Sequence, residues 1–192
     1  MDHHSDSGRL ARAIGCLPSL VTWTGNAYRS TSPKYASRDD FSTGAGAKAS
    51  GGRWNPPGSF HTVYASFDLE TALAEALAHF RRFKIPLTSA MPRVFAALKA
   101  KLNRVLDLRV GAIRNTLRVS KARLFAEEWW KKQRLGKEAL TQAIGRLAWE
   151  ARLHGMLVPS AARSGGTNLI VFPANLDPPA SWLKVMNPTD LP

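Results

Sequence analysis

The chain has 192 residues, 44% apolar and 21% charged, with one cysteine and a formal net charge of +13. That length suits a single domain, the composition excludes a disordered chain, and Cys16 alone excludes an internal disulfide. The start Met1-Asp2-His3-His4 lacks the basic-then-apolar pattern of a secretory signal, and no apolar run approaches the roughly 20 residues that span a bilayer. The expectation is a cytoplasmic protein with no membrane association.

The charge is uneven. From Arg81 to Lys137 there are 16 Lys or Arg against three acids, Asp107, Glu127 and Glu128. Such a surface suits nucleic acid, an anionic small molecule or an acidic protein partner, or simply a solvated helix face.

Residues 1–18 read as a polar N-terminal tail, 19–186 as the domain and 187–192 as a C-terminal tail. Strand signals appear over Leu20–Trp23 and Ala27–Ser30. Residues 32–60 are rich in Gly, Ser and Pro and read as a long loop, a feature that in a compact domain is functional or disordered. Within it lies Gly51-Gly52-Arg53-Trp54-Asn55-Pro56-Pro57-Gly58, a cation, an aromatic and an amide between backbone breakers. Thr62–Ser66 reads as a short strand with Thr62, Tyr64 and Ser66 on one face. A helix follows, capped by Ser66 or Asp68, with the stripe Leu69, Ala72, Leu73, Ala76, Leu77 and Phe80. Glu75 falls about 130° from the centre of that stripe at the helical period.

Val94–Leu98 and Arg104–Leu108 read as strands, and Ala112–Val119, Lys121–Gln133 and Lys137–His154 as helices broken at Gly136 and Gly155. Met156–Val158 and Asn168–Phe172 are buried-strand candidates, and Trp182–Lys184 a last short strand. Strands and helices mix without a repeating β-α unit, which points to an α+β fold.

No phosphate-binding loop, dinucleotide fingerprint, nucleophile elbow or zinc spacing is present. What stands out is a scatter of polar residues in unusual places. Arg29 lies in a strand, Arg53 and Asn55 in the breaker-flanked loop, Tyr64 on a short strand, Glu75 off its stripe, and Ser160 after Pro159 at a strand end. Singly, each has a plainer role: a surface ion pair for Arg29, core packing for Tyr64, a solvated position for Glu75, a turn for Ser160.

Taken together, "YRSTSPKYA", "GAGAKASGGRWNPPG", "VYASFDLETALAEALAH", "RVLDL", "TQAIGRLAWE", "GMLVPSAARSGGTNLIVFP" and "SWLKV" resemble, in order, the RES-domain toxins of RES–Xre toxin–antitoxin systems, over about residues 21–186. The resemblance implies an ADP-ribosyltransferase-like fold, a split β core with flanking helices, and NAD consumed in a cleft. It carries the family's Arg, Glu and Ser onto Arg29 or Arg53, Glu75 and Ser160, with Tyr64 as the cleft aromatic. Arg29, Arg53, Asn55, Tyr64, Ser66 and Ser160 form the expected NAD-binding set. No metal is expected.

The chemistry suits these residue types. Arginines are always-charged bidentate clamps for a pyrophosphate. An aromatic face can stack on the cationic nicotinamide ring. Nicotinamide leaves neutral, so the developing charge is positive and sits on the ribose, where one carboxylate, Glu75, can stabilise it or orient the nucleophile. Ser160 suits hydrogen bonding better than attack, because no His–acid pair is evident to activate it. The acceptor stays open between water, phosphate and a protein side chain. The resemblance further implies an Xre-type DNA-binding antitoxin as partner and allows a homodimer within the toxin–antitoxin complex. The alternative is a basic nucleic-acid-binding protein or ribonuclease toxin, with Trp129 and Trp130 stacking on bases; core packing is the preferred role for that pair.

Overall fold

Alternating apolar and polar residues over Leu98-Lys99-Ala100-Lys101-Leu102 build the long central strand of the fold, with the leucines and Ala100 buried and both lysines exposed. The computed structural model describes residues 3–16 and 20–186. The elements are α1 (His3–Gly15), β1 (Val21–Thr31), α2 (Arg38–Ser42), α3 (Ala45–Ser50), β2 (Val63–Ser66), α4 (Leu69–Arg82), β3 (Val94–Asp107), α5 (Gly111–Thr116), α6 (Lys121–Ala126), α7 (Trp129–Arg134), α8 (Leu140–Glu150), β4 (Gly155–Pro159), β5 (Thr167–Val171) and β6 (Trp182–Val185). The fold is α+β, as expected. None of the helices among the described residues is long and apolar enough to cross a membrane.

The strands run in the order β1-β2-β5-β4-β3-β6, and β1 also pairs with β3, so the sheet curls back on itself. Closure is uneven. β1 and β3 pair antiparallel along nearly their whole length. β1 and β2 share one residue pair, Tyr28 with Ser66. The other edge of β3 is divided between β6, at Leu98–Lys101, and β4, at Val105–Asp107. The β core is therefore two three-stranded halves, with a seam at Tyr28 and Ser66.

The two faces bury separate cores. One gathers Ala27, Val63, Ala65, Leu98, Leu102, Val105, Leu157 and Leu169, closed by Phe41 of α2. A register shift opposite Val21 and Trp23 adds a residue to β3 and keeps Val105 on the same face as Leu102. The other core packs Met156, Val158, Ile170 and Phe172 against Leu10, Ile113, Leu117, Leu124, Ile144 and Leu147 of the helices.

Several expectations need correction. The N-terminal tail reading of residues 1–18 fails over His3–Gly15, which is helical: Leu10 and Ile14 are 1% and 4% exposed and α1 packs on α8. Two apolar residues one turn apart suffice to dock an otherwise polar helix. Residues 1, 2 and 17–19, and the C-terminal tail at 187–192, lie outside the described residues. The two expected strands at 20–23 and 27–30 are one, as are those at 94–98 and 104–108; lysine and alanine have weak strand propensity, but pairing with β1 overrides it. The long loop at 32–60 contains two short helices. The expected helix at 121–133 breaks after Ala126, and α8 is shorter than the expected 137–154. Trp129 and Trp130 are half-buried rather than core: α7 buries no residue, and the Trp130 ring lies under Arg82, Lys131 and Arg134.

Candidate active site

The site begins with a roll of α4. Asp68 caps this helix by accepting from the Thr71 backbone N–H at 2.7 Å. Its buried residues are Thr71, Ala72, Ala74 and Leu77, while Leu69 of the sequence stripe is 51% exposed. Small residues let the helix lie close on β1, β2 and β5. Glu75 is turned toward the sheet as a result.

There the Glu75 carboxylate meets a row of polar side chains that interrupts an apolar sheet face. Tyr64, Ile170 and Met156 align across β2, β5 and β4, and the next position along holds Ser66, Asn168 and Val158. Ser66 Oγ donates to Asn168 Oδ1 at 2.7 Å, which turns the Asn168 Nδ2 toward Glu75 Oε1 at 2.6 Å. Ser160 Oγ donates to the same Glu75 oxygen at 2.7 Å. The second oxygen, Oε2, has no hydrogen-bond donor among the described residues. Ser160 Oγ itself accepts from the backbone N–H groups of Ala162 and Arg163 at 3.1 and 3.0 Å. Its hydrogen-bonding capacity is spent on holding Glu75 and folding its own loop, which makes it a positioning residue rather than a nucleophile. Arg163 ties that loop back to α4 through Glu70 at 2.8 Å. Gly166 is required here, because a Cβ would lie 2.7 Å from Thr71 Oγ1.

The Gly51–Gly58 stretch is a braced turn. The Gly52 N–H donates to the Asn55 carbonyl at 2.9 Å. The Tyr64 hydroxyl accepts from the Trp54 N–H at 2.9 Å and donates to Asn55 Oδ1 at 2.8 Å. Gln142 of α8 reaches the Gly52 carbonyl at 3.1 Å. A Cβ at Gly145 would lie 1.8 Å from the Trp54 carbonyl oxygen, so helix and turn touch backbone to backbone. Trp54 is 3% exposed and holds the turn in the core. Asn55 is fully buried, and its Nδ2 donates to the Ala47 carbonyl at 2.7 Å. It braces the loop and offers no free group to a ligand. Expected in the NAD-binding set, Asn55 here has both ends of its amide bonded to the protein.

Two guanidinium groups flank this arrangement. Past the single Tyr28–Ser66 pair, Arg29 Nη1 donates to the Tyr64 carbonyl at 3.1 Å, bridging the seam. Its Nε is buried without a partner. Arg53 Nη1 donates to the carbonyls of Leu124 and Glu127 at 2.9 and 3.5 Å. Neither has a carboxylate at ion-pair distance among the described residues. Burial lowers the pKa of each; the Glu75 charge opposes the shift at Arg53, and the Asp40 charge opposes it at Arg29. Burial also raises the Tyr64 pKa well above that of a free phenol, so the hydroxyl stays protonated as the turn's brace.

The fold thus joins Ser66, Asn168, Glu75 and Ser160 in one hydrogen-bonded frame; Tyr64, two residues before Ser66 on β2, belongs to the bracing of the Arg53 turn and takes Arg29 on its carbonyl. Sequence reading passed over Asn168 and Gln142. Asn168 shares a strand face with Ile170 and Phe172, and a polar residue at an inward position of a buried strand needs a partner. Gln142 had no such signal. Among the described residues no group of three metal-ligating side chains is assembled. A larger groove, about 700 Å³, lies between α1 and α8 and is lined by Arg123, Lys132, Lys137 and Arg146; it contains no member of the Glu75 frame.

Comparison with known proteins places this geometry in context. The family model described as RES domain matches residues 26–192. Proteins named NAD(+) phosphorylase MbcT, from Mycobacterium tuberculosis and Mycobacterium bovis, are 30% identical over 156 residues, 79% of this chain and 74% of theirs. A chain of the crystal structure titled as the M. tuberculosis MbcT-MbcA toxin-antitoxin complex matches in fold, with a TM-score of 0.68, 23% identity and coverage of 94% of this chain and 93% of that one.

Proposed function

This chain belongs to the RES domain family, and we propose that it is the toxin of a toxin–antitoxin pair, an enzyme that cleaves NAD between nicotinamide and ribose with phosphate as acceptor. The observation that carries the reading is the state of Glu75. One carboxylate oxygen is fixed by Ser160 and Asn168, the other has no donor among the described residues, Arg53 feels the carboxylate's charge, and Arg29 keeps a buried Nε without a partner.

Each part has a task. Arg29 and Arg53 bind the pyrophosphate, Arg29 through donors that burial has stripped of water. The half-buried Tyr64 ring stacks on nicotinamide while its hydroxyl keeps the Arg53 turn in place. As the bond to nicotinamide lengthens, positive charge grows on the ribose, and Glu75 Oε2 stabilises it; a preorganised carboxylate of this kind contributes about 10²–10³ in rate. Ser66 and Asn168 act through Glu75 and touch no reacting atom. The similarity to proteins named NAD(+) phosphorylase favours phosphate over water or protein as acceptor.

The partner is an antitoxin, of the Xre DNA-binding type by the resemblance of the sequence motifs, and the pair acts in the cytoplasm. The basic surface around Trp130 suits acidic segments of such a partner better than bases, because the ring is already covered by three cationic side chains.

The test is direct. Purified protein is incubated with NAD and phosphate and nicotinamide is followed by chromatography. Release of nicotinamide is expected; intact NAD with folded protein would end the proposal.

A further inference from the structure

Beside Ser160 lies a cavity of about 190 Å³ whose walls include Arg109, Arg114, Lys121, Pro159 and Ser160. Three cations face it. The carboxylate paired with them is Asp107, which accepts from Arg109 Nε at 2.9 Å and Nη2 at 2.8 Å. Arg109 Nη1 has no hydrogen-bond partner among the described residues. Arg114 Nη1 donates to the carbonyls of Leu108 and Arg109 at 2.7 and 2.6 Å, which fixes the guanidinium and leaves Nε and Nη2 unused. The Lys121 ammonium lies 5.4 Å from the Phe125 ring centre and has no carboxylate partner among the described residues. The pocket therefore has a surplus of positive charge and several unspent donors, three of them on the two guanidinium planes already held in place. That is the chemistry of a phosphate site.

Its position matters as much as its charge. Ser160 is a wall of the cavity and also the hydrogen-bond donor to Glu75 at 2.7 Å. An anion held there sits one side chain away from the carboxylate assigned to the ribose. We propose that this cavity holds the phosphate acceptor, a subsite separate from Arg29 and Arg53; the inference rests on the NAD-cleaving reading. In the reaction a phosphate oxygen bonds to ribose C1′ as the C1′–N bond breaks. The bonding pair leaves with the ring nitrogen and neutralises the pyridinium. The phosphate's own proton stays with the ADP-ribose 1-phosphate product, and nothing else is consumed.

The same chemistry could serve the pyrophosphate of NAD, and steady-state kinetics distinguish the two. In Arg114→Gln the KM for phosphate is expected to rise about tenfold and in Lys121→Gln about threefold, with the KM for NAD within twofold. Lys121 is exposed, and beyond its contact with the Phe125 ring its side chain makes no hydrogen bond or ion pair among the described residues, so its variant keeps the fold if Arg114→Gln does not. A rise in the KM for NAD with phosphate unaffected would assign the cavity to pyrophosphate and overturn the proposal, as would no change in either. Titration of the NAD-free protein with inorganic phosphate, followed by ³¹P line width, reads the subsite without turnover. Broadening by wild type that weakens in both variants is expected, and equal broadening by all three contradicts it. Wild type that broadens phosphate but releases no nicotinamide would remove the enzymatic reading and leave the anion site standing.

Discussion

Ser160 and Glu75, 85 residues apart in sequence, are joined by a 2.7 Å hydrogen bond between hydroxyl and carboxylate. The bond ties the end of β4 to the middle of α4 and decides which Glu75 oxygen is free. Ser160→Ala removes it and leaves Asn168 alone to orient the carboxylate. We expect kcat to fall about 10–100-fold with little change in the KM for NAD, and Ser160→Thr to recover part of the loss. Wild-type kcat in Ser160→Ala would show that the carboxylate needs no such support.

Tyr64→Phe tests the brace of the arginine-bearing turn. It strips a partner from the Trp54 N–H and from Asn55 Oδ1, and Asn55 is fully buried. The expected cost is about 1–3 kcal/mol in denaturant unfolding, with a raised KM for NAD as Arg53 loses its fixed position. Combining it with Asn55→Ala should cost less than the sum of the two, because both remove the same bond.

Much of this site was legible before the fold. The breaker-flanked turn, the off-stripe position of Glu75 and the strand-end Ser160 stand out as polar residues in costly places. What joins them was less visible. The stripe of α4 suggested that Leu69 faces inward, yet the helix docks through Thr71 and Ala74, because a close approach to the sheet needs small side chains. Asn168 looked like the edge of a strand because its partners, Ser66 and Glu75, are remote in sequence. The helix at His3–Gly15 was missed since only Leu10 and Ile14 anchor it, too few for a periodic signal.

Gly145→Ala should be severe for a residue in a helix, where alanine is ordinarily favoured. The added Cβ would meet the Trp54 carbonyl oxygen at 1.8 Å, and backbone cannot step aside as a side chain can. A loss of roughly 1–3 kcal/mol is expected, read by thermal or denaturant unfolding, together with weaker NAD binding as the turn moves. Unchanged stability would mean that α8 and the turn are not in contact in solution.

His154 gives stability a dependence on pH. It is 7% exposed, and its Nδ1 accepts from the Asn103 N–H at 3.1 Å. Burial and then Arg104 pull its pKa below the ordinary histidine value, with Asp177 acting the other way. The unfolded chain therefore binds the proton first as pH falls. The contribution of His154 is complete above about pH 6.5, the unperturbed value, and is lost as pH falls below it. Wild-type Tm should drop more between pH 7 and pH 5 than that of His154→Gln; an equal drop would show that this imidazole does not couple to folding.

The most direct measurement of the central claim is nicotinamide release by wild type and Glu75→Gln, side by side, in phosphate buffer. Gln keeps the shape and an oxygen for Ser160 and Asn168 but removes the charge. The account predicts release by wild type, a fall of about 10²–10³ or more in kcat for the variant, and a Tm within a few degrees of wild type. Near-equal rates in the two proteins would contradict it.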